Sequence, residues 1–260
     1  MKCLFIGDVV GRSGRYAVSK FLSKNKYDFV CGNIENSAAG FGITNRVYKE
    51  FVRYGFNAMT SGNHVWDKKD IIEHISSWDR FIRPANLKDT TYGDGFKVFN
   101  IKGINIAVVN LIGNVFIDIP SFNPFTSFDN IYKQLPQNTF IIVDFHGEAT
   151  SEKLAFGYYA DGRANVIIGS HTHTQTNDLR ILPNKSLYLT DAGMCGSIDS
   201  ILGMTKDPII DRFVTGNKSR FTVETKGDSL FNAVEFSFNS DMAVNEYSLI
   251  YKVYSAKSSN

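Results

Sequence analysis

Short apolar runs alternate with amphipathic segments over the first third of the chain. Strands are predicted where the apolar runs have strand length, at KCLFIGD (2–8), YDFVCGN (27–33) and FNAMTSGN (56–63). Helices are predicted where apolar residues recur at helical spacing, at RYAVSKFLSK (15–24), TNRVYKEFVRYG (44–55) and DKKDIIEHISS (67–77). This alternation predicts α/β layering in which at least part of a sheet is parallel.

Strand patterns dominate the remainder of the chain. FKVFNIKGINIAVVNLIG (96–113) predicts a hairpin that turns near Lys102-Gly103. TFIIVDFHGEATSEKLAFGYYA (139–160) predicts a strand followed by a helix, and ANVIIGSHTH (164–173) predicts another strand. For SLYLTDAG and NAVEFSFNSDMAVNEYSLIYKVY we expect antiparallel strands joined by turns. The whole pattern favours one α/β sandwich with mixed sheets.

The composition suits a globular domain with a large core, since 43% of the 260 residues are hydrophobic and 13% are aromatic. No repeat or linker interrupts the pattern, so we expect a single domain over residues 1–255 and a polar tail at 256–260. The apolar runs are too short to cross a bilayer, and the N-terminal run has the pattern of a first strand, not of a signal peptide. Cys3, Cys31 and Cys195 are widely spaced and odd in number, which predicts unpaired thiols. A cytoplasmic protein is therefore expected.

Polar side chains with acid–base or metal-binding chemistry follow five of the predicted strands. They are Asp8, Glu35, Asn36, Asn63, His64, His146, His171 and His173. Taken singly, each has a structural explanation, such as a turn residue or a buried, hydrogen-bonded histidine. Together they include four of the five histidines in the chain, with His74 as the exception. Because ligands bind outside the carboxyl ends of strands in α/β sheets, the combination predicts one metal site.

The donor types restrict the metal. Carboxylate, amide and imidazole groups without cysteine disfavour structural zinc and iron–sulfur centres, and they suit iron, manganese or catalytic zinc. The set also exceeds what one ion with an open position requires. Two ions roughly 3.5–4 Å apart, bridged by one carboxylate, would use all the donors.

Long stretches of the chain, in order, resemble one family. The matching stretches are GDVVG (7–11), GNIENSAAGFGIT (32–44), SGNHVWD (61–67), VDFHGEATSEK (143–153), DGRANVIIGSHTHTQTND (161–178) and LTDAGMCG (189–196). They resemble the calcineurin-like metallophosphoesterases, specifically the YmdB-type cyclic-nucleotide phosphodiesterases. The resemblance covers residues 1 to about 215 and implies a layered α/β/β/α sandwich with two mixed sheets.

The motifs depart from the general superfamily pattern at two positions. The usual D-x-H reads Asp8-Val9-Val10, so one histidine ligand is missing, and Glu35 stands where a bridging aspartate is usual. In both features the chain resembles the YmdB-type branch, in which the asparagine after the glutamate completes the ligand shell of the first metal. An amide oxygen in place of an imidazole makes that site harder, which favours iron, with manganese as the alternative, over zinc.

The resemblance implies a role for each residue. Metal 1 takes Asp8, Glu35, Asn36 and His173, and metal 2 takes Glu35, Asn63, His146 and His171. Glu35 bridges the two ions, and a hydroxide between them attacks phosphorus. His64 is placed to donate a proton to the leaving oxygen, with Asp67 as a candidate to keep it cationic.

Several functions remain open at this point. The substrate is expected to be a small phosphodiester, a 2′,3′-cyclic or 3′,5′-cyclic nucleotide. A broader metallo-nuclease or phosphomonoesterase could use the same centre, and a regulatory protein could keep the fold and act through partner contacts. The net charge of +2 argues against long nucleic acid and against an anionic membrane as partners. The aromatic-rich segment 113–128 suits either a substrate lid or an interface, which leaves a homo-oligomer open.

Overall fold

The computed structural model describes residues 1–89, 91–218 and 220–256. The strands are β1 (Lys2–Ile6), β2 (Asp8–Val9), β3 (Phe29–Asn33), β4 (Ala58–Thr60), β5 (Phe96–Ile101), β6 (Ile104–Ile112), β7 (Thr139–His146), β8 (Val166–Ser170), β9 (Arg180–Ile181), β10 (Leu187–Leu189), β11 (Met194–Ser197), β12 (Ser229–Phe238) and β13 (Val244–Tyr254). The helices are α1 (Gly11–Leu22), α2 (Asn45–Tyr54), α3 (Asp70–His74), α4 (Pro124–Tyr132), α5 (Thr150–Ala160) and α6 (Lys206–Thr215). Apart from Ala256, the predicted polar tail lies outside the described residues, and the domain limits stay predictions.

The first sheet has the strand order β2-β11-β12-β1-β3-β4, and β13 pairs with β12. Strands β1, β3 and β4 run parallel, as βαβ units require, whereas β12 is antiparallel to both β1 and β13. Leu4 and Ile6 of β1 belong to an apolar cluster with Ala17 and Val18 of α1. Helices therefore cover this face of the sheet.

The second sheet has the strand order β5-β6-β7-β8-β10-β9. Strands β6, β7, β8 and β10 are parallel, and the edge strands β5 and β9 are antiparallel to their neighbours. The predicted hairpin turn is confirmed at Lys102 and Gly103, which have the positive φ angles of 53° and 83° that a tight two-residue turn needs. The prediction for SLYLTDAG was wrong in part, because β10 pairs in parallel with β8 and antiparallel only with β9.

The two sheets pack face to face. Cys3 and Phe5 of β1 point away from the helices, because side chains alternate between the two faces of a strand. They belong to the same apolar cluster as Ile106 and Val108 of β6 in the second sheet. On the outer face of the second sheet, β7 residues share a cluster with Phe156 of α5. Strands buried on both faces explain the continuous apolar runs of the sequence. The predicted α/β/β/α sandwich with two mixed sheets is confirmed.

Two helices were not predicted. α4 carries a recognisable start, since Asn123 accepts hydrogen bonds from Phe125 N and Thr126 N and Pro124 occupies the first turn. α6 has a weaker pattern, with Ile209 as its buried residue. The prediction for α2 is confirmed in detail, from the Thr44 N-cap to Gly55 in the left-handed region. No helix within the described ranges combines the length and apolarity needed to span a membrane.

Candidate metal centre

The predicted residues come together at the carboxyl ends of strands from both sheets. In the first sheet, Asp8 begins the short strand β2 just after β1, and Glu35 and Asn63 follow β3 and β4. His146 ends β7 of the second sheet, and His171 directly follows β8. Because the two sheets face each other, one buried cluster receives carboxylates and amides from one sheet and imidazoles from the other.

One group of donors surrounds His146 Nε2. Asn63 Oδ1 lies 2.9 Å from this nitrogen, His171 Nδ1 lies 3.0 Å away and Glu35 Oε1 lies 3.1 Å away. Ligand atoms of Glu35, His146 and His171 all lie within 4.8 Å of one another. These four side chains are those predicted for metal 2.

A second group contains the residues predicted for metal 1. Asn36 Nδ2 lies 3.2 Å from His173 Nε2 and 3.4 Å from Glu35 Oε1, and His173 Nε2 lies 3.9 Å from Asp8 Oδ1. Rotating the Asn36 amide by 180° presents its oxygen to the same neighbours, since the two orientations occupy the same volume. Glu35 thus lies between the two groups.

The donors fit hard or borderline cations. Asp8 is fully buried, yet its Oδ1 has no hydrogen-bond partner among the described residues. A buried carboxylate oxygen without a donor is costly unless a cation compensates its charge. The surrounding groups are carboxylate, amide and imidazole, with no thiol among them, which suits iron or manganese and not a cysteine-based zinc site.

His146 is oriented from behind by a buried polar chain. Its Nδ1 lies 2.9 Å from Ser170 Oγ, which donates to Asp144 Oδ1 at 2.6 Å. Thr60 Oγ1 and Asn33 Nδ2 donate to the other oxygen of Asp144. Holding Nδ1 in this way leaves Nε2 directed at the donor group. Sequence reasoning missed Asp144, although it lies two positions before His146 on the same face of β7.

The other two histidines have outer partners of their own. His171 Nε2 lies 3.1 Å from Glu148 Oε2, and His173 Nδ1 lies 3.0 Å from the carbonyl oxygen of Leu202. Each contact leaves the other ring nitrogen for the centre, as is usual for metal-binding histidines. Glu148 was visible in the HGEATSEK motif, but a contact to Leu202 depends on a loop that carries no sequence signal for it.

The backbone at 171–173 is strained. His171 has φ of 102° and His173 has φ of 63°, in the left-handed region that favours glycine. Each such residue costs about 1–3 kcal/mol and persists only where surrounding contacts hold it. His171 N donates to Asp8 Oδ2 at 3.0 Å, and Thr172 N donates to Asp191 Oδ2 at 3.0 Å.

A buried ion pair supports this turn. Lys153 Nζ lies 2.6 Å from Asp191 Oδ2 and donates to the carbonyl oxygen of Ser170 at 2.8 Å. Asp191 Oδ1 accepts from Gly193 N at 2.8 Å. Lys153 and Asp191 are both almost fully buried, so the pair ties α5 to the residues on either side of the turn.

Charges in the centre are interdependent. Burial would raise the pKa of Glu35, but the imidazole of His146 and the amide of His64 lower that pKa to about 2. Burial would lower the pKa of His146, but the Glu35 carboxylate raises it to about 9. Burial together with the charge of His146 lowers the pKa of His171 to about 3. The Glu35 carboxylate thus favours positive charge at His146, and a cation held by these side chains would compete with a proton for the same position.

His64 lies beside the donor groups and not within them. Its backbone N–H donates to Glu35 Oε2 at 3.0 Å, and its Nδ1 lies 2.8 Å from Asp67 Oδ2. The edge of the ring contacts Phe41, with ring centroids 4.8 Å apart. Nε2 has no hydrogen-bond partner in the part of the chain that the structure describes, which leaves it available to a ligand.

A cleft of about 490 Å³ leads to the centre. Glu35, His64 and His173 lie at its base, and its walls include Phe41, Leu202, Arg212, Phe213 and Phe221. A recess of about 340 Å³ beside it is lined by His64 and by residues 116–119 of the aromatic segment. Arg163 and Arg180, which the sequence offers as possible phosphate contacts, do not line this cleft. Arg163 pairs with Asp129 and Arg180 pairs with Asp178.

Comparison with known proteins identifies the family. The family model described as YmdB-like protein matches residues 4–249. The chain belongs to the YmdB-like family. This YmdB-like chain is 45% identical over 228 residues to the 2′,3′-cyclic-nucleotide 2′-phosphodiesterase of Bacillus subtilis strain 168, covering 86% of each chain.

Solved structures agree with this family. A hypothetical protein from Thermus thermophilus is 35% identical, with a TM-score of 0.92 over 97% of this chain and 99% of that one. A structure described as a novel phosphatase, from Mycoplasma pneumoniae, is 33% identical, with a TM-score of 0.91 over 99% of this chain and 95% of that one. The predicted family is confirmed, and the predicted enzyme class, phosphoric diester hydrolase, is that of the Bacillus relative. The role of each site residue stays a prediction.

Proposed function

We propose that this YmdB-like chain hydrolyses 2′,3′-cyclic nucleotides at a two-cation centre, with His64 as the proton donor. The observation that carries the proposal is the convergence of Glu35, Asn63 and His171 on His146 Nε2. Beside them lies Asp8 Oδ1, which accepts no hydrogen bond within the described residues and lies 4.0 Å from His146 Nδ1. The Bacillus relative supports the substrate class. Iron, with manganese as the alternative, stays a prediction, as does a cytoplasmic location.

The donor groups would hold the two cations. Asp8, Glu35, Asn36 and His173 form one set, and Glu35, Asn63, His146 and His171 form the other. When bound, such cations acidify water and offset charge on phosphoryl oxygens. Ser170, Glu148 and the Leu202 carbonyl hold the three imidazoles in the orientation that this requires.

His64 supplies the group that the donor sets lack. Ring opening of a 2′,3′-cyclic phosphate leaves a ribose alkoxide, which is a poor leaving group unless it takes up a proton. His64 lines the cleft, its Nδ1 contacts Asp67, and its remaining nitrogen can reach a ligand. Phe41 packs on the ring and limits its movement.

A metal and activity assay tests the centre. Protein purified without added ions is analysed for metal, and hydrolysis is measured with 2′,3′-cyclic AMP, 3′,5′-cyclic AMP and bis-p-nitrophenyl phosphate. We expect bound iron or manganese and turnover of the 2′,3′-cyclic substrate, both lost in Glu35→Gln. Wild-type turnover by Glu35→Gln, or no cleavage of any of the three diesters by the metal-loaded protein, would contradict the proposal.

The proton donor is tested with two leaving groups. In His64→Ala we expect kcat for 2′,3′-cyclic AMP to fall by about 10²–10⁴-fold. For bis-p-nitrophenyl phosphate it should change little, because p-nitrophenolate leaves without a proton. His74→Ala is the matched control, since His74 lies on α3 with its Nδ1 on the Asp70 carbonyl. Loss of metal in His64→Ala would instead make His64 a ligand.

A further inference from the structure

A second and larger cleft adjoins the catalytic one. Its volume is about 920 Å³, and it is lined by α1, α2, the 38–44 loop and residues 220–225. Phe41 and Phe221 line both clefts. The two spaces are therefore adjacent and meet at these two aromatic residues, so a ligand long enough to pass over them would contact both clefts.

The second cleft is positively charged. Arg12, Arg46, Lys68 and Arg220 line it, and none of the four has an acidic partner within the described residues. Arg15 also lines it but is neutralised by Glu50, 3.2 Å from its Nε. Among the described lining residues there is no carboxylate. Unpaired cations facing one cavity create a local positive potential whatever the net charge of the molecule.

Cations and aromatic side chains together favour a single nucleic-acid strand. Cations follow a phosphate backbone, and aromatic rings accept bases by stacking, without regard to sequence. An acidic peptide would use the charges alone, whereas a base can also stack on the aromatic wall formed by Phe41, which contacts His64, and Phe221, which contacts Arg212. A 2′,3′-cyclic phosphate can form only on ribose, so a strand that ends in this group is RNA.

We propose that the second cleft binds the nucleotides that precede the terminal cyclic phosphate of a short single-stranded RNA. The terminal nucleotide then occupies the catalytic cleft, and the substrate is an RNA end in preference to a free cyclic mononucleotide. This inference rests on the proposed function of the catalytic cleft. The inference concerns short strands only. Arg12, Arg46, Lys68 and Arg220 are far apart in the sequence, so the sequence shows no cluster of basic residues that would indicate this cleft.

The test measures binding separately from catalysis. A 5′-fluorescein RNA tetranucleotide with a 3′-phosphate, which has no terminal cyclic diester to open, is titrated with the purified protein and followed by anisotropy. Arg12→Glu/Arg46→Glu should weaken binding at least about tenfold and reduce the slope of log K against log salt by about 1.4, for two lost phosphate contacts. Lys24→Glu/Lys26→Glu is the matched control, because both lysines are exposed before β3, away from the carboxyl ends of the strands.

Kinetics complete the test. The wild-type protein should show a kcat/KM for the tetranucleotide 2′,3′-cyclic phosphate at least about tenfold above that for 2′,3′-cyclic AMP. The Arg12→Glu/Arg46→Glu protein should lose this preference and keep its activity on 2′,3′-cyclic AMP. Equal kcat/KM values, binding unchanged by the reversal, or displacement of the RNA by polyglutamate of equal charge would each overturn the inference. Failure of the proposed function is distinguishable, because then neither cyclic phosphate is hydrolysed.

Discussion

At the scale of single residues, adjacent side chains in the segment 62–64 make different contacts. Asn63 Oδ1 faces His146 Nε2 within the donor group, whereas the His64 ring contacts Asp67 and Phe41 beside it. Gly62 permits this arrangement, since a Cβ atom at that position would overlap the imidazole of His146. A residue without a side chain is therefore part of what positions the centre.

Gly62→Ala tests this packing. The added methyl group should push the His146 ring out of line with Glu35 and Asn63, and we expect metal affinity to fall by about 10–100-fold. Metal content and kcat are measured together. Gly196→Ala is the control, because its Cβ would meet its nearest neighbours at ordinary contact distances of 3.4 Å or more. Undiminished metal binding in Gly62→Ala would show that the ring has room to move.

The sequence predicts the residues of the two donor groups better than the residues that hold them in position. Asp8, Glu35 and His146 could be found because strand ends are visible in the apolar pattern and parallel strands end at one edge. Ser170 and Glu148 act through tertiary contacts, which leave no periodic signal. The contact at Leu202 is made by its backbone carbonyl group, which every residue has, so only the structure reveals it.

At the scale of elements, the turn after β8 depends on α5 and on the segment after β10. Lys153 of α5 and Asp191 hold the residues on either side of His171 by an ion pair and by hydrogen bonds to Ser170 O and Thr172 N. Both side chains are buried, so water cannot supply the contacts of either one if it is removed.

Asp191→Asn should both destabilise the protein and loosen the turn. Leaving Lys153 buried without its counter-ion costs about 3–5 kcal/mol, which chemical unfolding measures. Metal content should fall as well, since Thr172 N loses its charged acceptor. Asp129→Asn is the control; it removes a half-exposed pair with Arg163 and should cost at most about 1 kcal/mol. A destabilised Asp191→Asn protein with wild-type metal content would limit the pair to a structural role.

Elements that depend on distant partners were the hardest to predict. The direction of β10 is set by β8, because an apolar triplet carries no information on parallel or antiparallel pairing. α6 supplies Arg212 and Phe213 to the catalytic cleft, yet most of its surface is exposed, so its apolar pattern is weak. The Asn123-Pro124 start of α4 was readable, but the aromatic residues around it obscured the helical spacing.

At the scale of the whole molecule, the centre joins the two sheets. The carboxylates and amides of the two donor groups come from the first sheet and their three histidines from the second. Cations bound between them should therefore stabilise the packing of one sheet on the other. The positive charge of the second cleft is also a property of the whole molecule, because its basic side chains come from α1, α2 and two loops.

Removal of metal should lower the melting temperature. Ligand at 100 times its Kd stabilises a protein by about 2.7 kcal/mol. For a chain of this size that corresponds to a shift of roughly 5–10 °C. Thermal unfolding is compared in chelator and after addition of Mn²⁺. Glu35→Gln, which removes the charge shared by both donor sets, should show little response. An equal shift in the variant would place the stabilising ion elsewhere.

The left-handed backbone of His171 and His173 has a consequence for protein engineering. Procedures that select substitutions for thermal tolerance alone favour glycine at such backbone angles, and these two histidines are among the nine non-glycine residues with positive φ in the described part of the chain. On the metal-binding roles proposed for these histidines, the resulting proteins would be more stable but inactive. Libraries built to improve this enzyme should therefore hold positions 171 and 173 fixed, and the same conflict between local backbone preference and residue identity can locate reactive loops in other folds.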